Sequence, residues 1–291
     1  MNHTKEHFFM NFKTKKSILK IYLFAAIAAA IGFTIWRTWL LKEYCNPYDM
    51  SFQDGALPAL QAFEYTLLAV LAALVTCVFF VKKTQFGLFG ARASTTSISI
   101  CAICGFMLLA VGILALVYYP AEILDFSDSN TKAYRIFHII SLVFMFLSSL
   151  YFLGRASVSL KNSPSIATLS LSLPCFCIAY LVTSYFDSVR PLLDFNRVTS
   201  EIAFIAVLMF MLSEARLATD QGSYPFRFAA SLASIVCISA YITPLLALAA
   251  FWEMDMSLSL LTDVSLVAIL FYVVFAAFNA IRTLEPDKTE N

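Results

Sequence analysis

Thr199 to Arg216 reads TSEIAFIAVLMFMLSEAR, with Glu201 and Glu214 bracketing a twelve-residue core, Ile202 to Ser213. At about 1.5 Å per residue, twelve helical residues reach about 18 Å, whereas the hydrocarbon of a bilayer is about 30 Å thick. A membrane helix here has to extend to about Val198 and Ala218, which draws each glutamate roughly one turn inside the boundary. The thirteen-residue separation turns them about 220° apart around the helix axis. They are two local features at two ends of a span, not one site.

The rest of the chain supports the membrane reading. Of 291 residues, 60% are hydrophobic and 13% charged, with 28 Phe and a mean hydropathy of +0.78. An ordinary soluble domain carries about 25% charge. The apolar residues come in runs of about 20, the length that crosses a bilayer, and not in periodic stripes. Eight spans are predicted at roughly 17–41, 59–81, 97–119, 134–153, 165–186, 198–218, 226–250 and 258–280. The expected class is all-α, a polytopic membrane helix bundle in one domain over residues 1–291: a basic tail 1–16, the bundle 17–281 and a polar tail 282–291. The first run is expected to be retained, since a basic tail precedes it, Arg37 and Lys42 follow it, and no small-residue cleavage site intervenes. A net charge of +1 gives no hint of a nucleic-acid partner. Six of the seven cysteines fall inside apolar runs, unlike a secreted disulfide framework.

Lys and Arg set orientation. With the N-terminus inside, the cytoplasmic side holds fourteen (Lys5, Lys13, Lys15, Lys16, Lys20, Lys82, Lys83, Arg92, Arg155, Lys161, Arg216, Arg227, Arg282, Lys288) and the other side six (Arg37, Lys42, Lys132, Arg135, Arg190, Arg197). Both termini are therefore expected to be cytoplasmic, in a plasma membrane. The outer loops are acidic, with Asp49, Asp54, Glu122, Asp125, Asp128, Asp187, Asp194, Glu253 and Asp255 among them.

Counting from the inner flanks, Arg37, Glu64, His138, Glu201 and Asp263 all fall about 25–29 Å up their helices, in one outer layer. Ionisable groups inside a bilayer are costly and usually face a bundle interior or a wet cavity. Three readings of this layer stay open. The carboxylates serve as helix caps and ion pairs, with Arg197 four residues before Glu201; or the layer lines an outward-open site for a solute; or Glu64, His138, Glu201 and Asp263 hold a metal, although no ligand spacing marks them. Glu214 and Arg216 are two residues apart and do not face each other, so Glu214 is expected to pair with a Lys or Arg of a neighbouring loop.

FEYTLLAVL (Phe63–Leu71) and SEIAFIAVL (Ser200–Leu208) align at a shift of 137 residues, which lays spans 1–4 over spans 5–8 as a 4+4 parallel repeat and matches Glu64 to Glu201. Pro174 and Pro244 remove backbone hydrogen bonds within spans 5 and 7. Span 5 is rich in Ser and Thr, whose hydroxyls either line a wet path or bond to backbone and neighbouring helices. Cys101 and Cys104 form a CxxC, but buried membrane cysteine usually acts as a small apolar filler. Gly105, Ala110 and Gly112 read as a close helix-packing face. No Lys lies deep in a span, and HExxH, GxxxxGK[ST] and GxSxG are absent. No catalytic residue, metal or cofactor is assigned.

YFDSVRPLLDFNRVTSEIAFIAVLMFMLSEARL (Tyr185–Leu217) resembles uncharacterised multi-pass membrane proteins of Gram-positive bacteria, through Tyr185-Phe186-Asp187, Pro191, Asn196 and the closing Glu214-x-Arg216. The resemblance covers about a tenth of the chain and implies no activity or site. The expected function is a transporter-like or solute-binding bundle embedded in lipid. Glu64 and Glu201 would anchor a cationic or zwitterionic small molecule, with His138 and Asp263 assisting and Arg37 offsetting the charge. The alternative is a non-catalytic membrane sensor, or a membrane subunit with a protein partner.

Overall fold

The computed structural model describes residues 12–46, 52–53, 55–80, 95–124, 131–157, 164–186, 195–219, 223–252 and 258–282. The tails 1–11 and 283–291 and loop residues Asp49, Asp54, Lys82, Lys83, Arg92, Asp125, Asp128, Lys161, Asp187, Arg190, Asp194, Glu253 and Asp255 lie outside them. The described residues are helical, with no β-strand among them. The elements are α1 (Phe12–Tyr44), α2 (Leu57–Val75, ending in a 3₁₀ turn Thr76–Phe80), α3 (Thr95–Tyr118), α4 (Pro120–Leu124), α5 (Lys132–Ser157), α6 (Pro164–Leu169), α7 (Ser172–Phe186), α8 (Phe195–Ala218), α9 (Tyr224–Trp252), α10 (Leu258–Asp263) and α11 (Ser265–Arg282). α1 begins at Phe12, so Lys13, Lys15 and Lys16 belong to the first helix and not to a separate tail.

Among the described residues eight segments are long and apolar enough to cross a membrane: Thr14–Tyr44, Leu57–Phe80, Thr95–Tyr118, Lys132–Ser157, Ser165–Phe186, Phe195–Ala218, Tyr224–Ala250 and Leu260–Arg282. Large apolar side chains face outward along them, such as Phe24, Ile31 and Ile35 on α1, Phe106, Ile113 and Val117 on α3, and Phe271 and Phe278 on α11. In water such a surface would drive aggregation, whereas hydrocarbon solvates it. The chain is a multi-pass integral membrane protein.

Six helices close into a ring. α9 packs on α11, α11 on α3, α3 on α5, α5 on α7, α7 on α8, and α8 returns to α9. α1 and α2 lie outside this ring and lean on α9. Burial follows the same order: 67% of the most apolar window of α9 is buried, against 22% of that of α2.

Small residues let α3 and α5 meet. A Cβ at Gly105 would lie 2.7 Å from Leu153 Cγ and 3.1 Å from the Ser149 carbonyl oxygen, and one at Gly112 would lie 2.8 Å from the Phe146 ring. Gly105→Val should cost about 1–3 kcal/mol, because the backbone of α5 cannot move aside as a side chain can. A thermal midpoint equal to wild type would show that the helices do not meet at Gly105.

Two spans are broken. The fifth is interrupted at Ser170 and Leu171, between α6 and α7. Pro174, in the first turn of α7, has no N–H to offer the Ser170 carbonyl four residues back. The eighth is interrupted at Val264, where the ladder tightens: the Val264 amide donates to the Leu260 and Leu261 oxygens, and the Val267 amide to the Val264 oxygen at 3.0 Å. No proline or glycine marks this second break.

Candidate functional site

Two buried polar clusters lie at opposite ends of the ring. Each brings together helices that are not ring neighbours: α7 with α10 in one, and α8 with α5 and α11 in the other.

The first gathers on Asp263, the last residue of α10, which is 1% exposed. Tyr180 of α7 donates its hydroxyl to Oδ1, and Tyr241 of α9 donates to Oδ2. Behind Tyr241 sits Arg37 of α1, fully buried, with its guanidinium 5.0 Å from the Tyr241 ring centroid and 5.4 Å from that of Phe195. Arg37 donates from Nη2 to Asn196 Oδ1 at 2.9 Å and from Nη1 to the Ala240 carbonyl at 3.1 Å. That carbonyl is a consequence of Pro244. Four residues on, a proline supplies no N–H, so the α9 ladder leaves Ala240 an acceptor for another helix to satisfy. One turn earlier on α1, Thr34 donates to the adjacent Ser239 carbonyl at 3.0 Å.

The remaining members of the expected layer are placed separately. Glu201 lies in the seam between α7 and α8, accepting from Arg197 Nε at 3.0 Å and from Ser184 Oγ at 3.1 Å, so the local ion pair forms. Glu64 is half-buried on α2, outside the ring, and among the described residues it has no hydrogen bond or ion pair. Neither glutamate caps its helix. Glu64 is the eighth residue of α2 and Glu201 the seventh of α8, beyond the first turn in which N–H groups are free. The 137-residue shift that aligns Glu64 with Glu201 therefore joins positions with unlike surroundings.

His138 is 1% exposed on α5 and stacks on Tyr134 at 5.8 Å. Among the described residues neither of its ring nitrogens has a hydrogen-bond partner. His138, Met145 and Phe152 recur at seven-residue spacing and share one buried face. Phe152 meets Tyr272 of α11 at 4.9 Å, so that face looks into the ring. An imidazole always offers a donor or an acceptor at each nitrogen, and leaving such groups buried and unmatched costs about 1–3 kcal/mol each. Among the described residues no three His, Cys, Asp or Glu side chains converge as a metal site, so the metal reading of Glu64, His138, Glu201 and Asp263 does not hold for this arrangement.

The second cluster gathers on Glu214 of α8, 1% exposed. Arg155 of α5 and Tyr272 of α11 both donate to its Oε1, and Arg227 of α9 donates from Nε to Oε2 at 2.5 Å. Arg155 also donates to Tyr272 and, at 3.0 Å, to Tyr151. Glu214 thus pairs with flanking cations, as its depth in the span required, but the two partners come from helix ends and not from loops. Between the clusters the interior is aromatic: Tyr180 stacks on Phe204 at 4.0 Å, Phe204 meets Phe176 at 6.1 Å, and Phe210 meets Tyr272 at 6.1 Å.

Tyr180, Tyr241, Tyr272 and Tyr151 were not singled out by the sequence, because hydropathy counts a tyrosine as apolar and the acceptor of its hydroxyl lies on another helix. Pro244 was the one local signal: a lost N–H in α9 calls for a donor from elsewhere. Compared with protein-family models, curated proteins and solved structures, the chain matches none.

Proposed function

We propose that this membrane protein is a solute-binding, transporter-like bundle whose site lies in the ring, toward the end that carries Asp263. His138 is the observation that carries this reading. A fully buried imidazole with neither nitrogen bonded costs stability, and a polar solute satisfying both nitrogens would offset that cost when bound. Asp263 and Arg37 supply opposite charges on either side of Tyr241, which suits a zwitterion or a cation. Glu201 adds a second carboxylate in the adjoining α7–α8 seam. Two broken spans in one bundle accord with this reading, since discontinuous membrane helices commonly flank solute and ion sites. The excess of Lys and Arg on the side of the N-terminus supports a plasma-membrane orientation with both termini cytoplasmic and the Asp263 end outside.

The test is ligand-dependent thermal stability of the purified protein against amines, amino acids, nucleosides and divalent metals. Binding to the folded state raises the midpoint by mass action. His138→Phe keeps the ring and its stacking on Tyr134 but removes two unmatched polar atoms. Without ligand it should therefore stabilise the protein, by on the order of 1 kcal/mol, while abolishing the shift produced by any amine or amino acid that stabilises wild type. A variant that both loses stability and keeps the shift would remove His138 from the site.

Glu64 favours the alternative, a membrane subunit docked to a protein partner. Gln61, Glu64, Tyr65 and Leu68 share one stripe of α2, the least buried span. No stabilising compound in the whole panel would shift the reading to that partner.

A further inference from the structure

The two ends of the ring are built alike. At each, a buried carboxylate accepts from side chains of other helices, Asp263 from Tyr180 and Tyr241, Glu214 from Arg155, Arg227 and Tyr272, and at each a spanning helix is broken. Asp263 adjoins the break at Val264. At the Glu214 end the break is at Ser170 and Leu171, and the six-residue α6 beyond it packs against α5 and α8, the helices that carry Arg155 and Glu214. Ser148 of α5, three residues from Tyr151, lies 3.2 Å from Ser172 at the start of α7, which holds the break beside the cluster.

We infer that the Glu214 cluster is a releasable latch that shuts this end of the ring, with the α6–α7 break as its hinge. One carboxylate ties four helices: α8 itself, α5 through Arg155, α9 through Arg227 and α11 through Tyr272. Contacts of apolar side chains would hold these helix ends as firmly, since a buried ion pair rarely outperforms well-packed hydrophobic residues. What an ion pair adds is a bond that water can replace. Arg155 lies two residues from the end of α5 and Arg227 three from the start of α9, with side chains 15% and 11% exposed against 1% for Glu214, so the arginine side of the cluster lies nearest the end of the ring. Opening would let water take over the donors while α6 swings on Ser170 and Leu171. The latch rests on the solute-binding reading for its purpose, but its opening is measurable with no solute present.

Cys101 is a built-in reporter. It is 1% exposed on α3 and lies within electrostatic reach of Arg155 and Glu214. Cys237, 2% exposed in the middle of α9, serves as the internal control. In two proteins that each keep only one of these cysteines, N-ethylmaleimide should modify Cys101 about tenfold or more faster than Cys237, because one end opens while the core stays closed. Glu214→Gln should speed Cys101 by a further factor of about ten and leave Cys237 unchanged. Tyr272→Phe, which deletes one hydroxyl and keeps the ring, should act in the same direction and carries the test if the Gln variant does not fold. Equal rates at Cys101 and Cys237 in otherwise wild-type protein would overturn the latch in favour of a fixed structural tie, as would a parallel rise at both cysteines in the variants. Neither result would bear on His138 and the solute panel, so the two readings fail separately.

Discussion

Glu214→Ala should cost about 3–5 kcal/mol of stability, because it strands two guanidiniums inside the bundle with no carboxylate between them. Both arginines are drawn in by that single side chain, and Tyr272 loses its acceptor at the same stroke. The comparison is Glu201→Ala. Its carboxylate is 33% exposed and pairs with a single cation, Arg197, 2% exposed and one turn away on the same helix, so its removal strands one guanidinium where Glu214→Ala strands two. Detergent-titration unfolding of the two variants side by side should show Glu214→Ala as clearly the more costly change. The triple variant Arg155→Met, Glu214→Leu, Arg227→Met should recover most of the loss, since an apolar replacement of a whole buried ion cluster is often neutral. If Glu214→Ala proves as mild as Glu201→Ala, the cluster does not hold the ring closed.

Arg37→Met should be the second severe change. It removes the donor to Asn196 and to the Ala240 carbonyl and leaves the buried Asp263 side of Tyr241 without its cation. A loss of about 3 kcal/mol is expected for one half of a buried charged network. Part of it should be reversible at Pro244, four residues beyond Ala240 on α9: Pro244→Ala gives residue 244 an N–H that can return to the Ala240 carbonyl, restoring about 1 kcal/mol in the Arg37→Met background. In wild type the same substitution should be nearly neutral, because Ala240 is already bonded. Equal effects of Pro244→Ala in both backgrounds would show that the two residues do not share that carbonyl.

The spans were legible because their signal is local and long. Residues 97–119 differ from Thr95–Tyr118 by two residues at one end and one at the other, and 165–186 coincides with Ser165–Phe186. That Glu214 must find a cation was also legible, since a charge at that depth cannot stay alone. Which cation was not, because Arg155 stands 59 residues before it and Arg227 thirteen after. The closing of six helices into a ring depends on pairings between spans that are distant in sequence, such as α11 with α3, and no periodicity records them. The break at Val264 escaped notice for another reason: LSLLTDVS contains neither proline nor glycine. The equal heights of Arg37, Glu64, His138, Glu201 and Asp263 gave depth along the axis but nothing about direction around it, and direction is what separates Glu64, on the outside of α2, from Asp263 within.

The partners of Arg37 have a consequence for biogenesis. Asn196 lies 159 residues further along the chain and Ala240 lies 203. At a synthesis rate of about 5–20 residues per second, α1 waits on the order of 10–40 s in the bilayer before the carbonyl freed by Pro244 has even been made. During that interval its arginine has to snorkel toward the headgroups or borrow shelter from the insertion machinery. The seventh span is thus the step that commits the nascent protein: until α9 is made, the first helix carries a charge whose carbonyl partner does not yet exist.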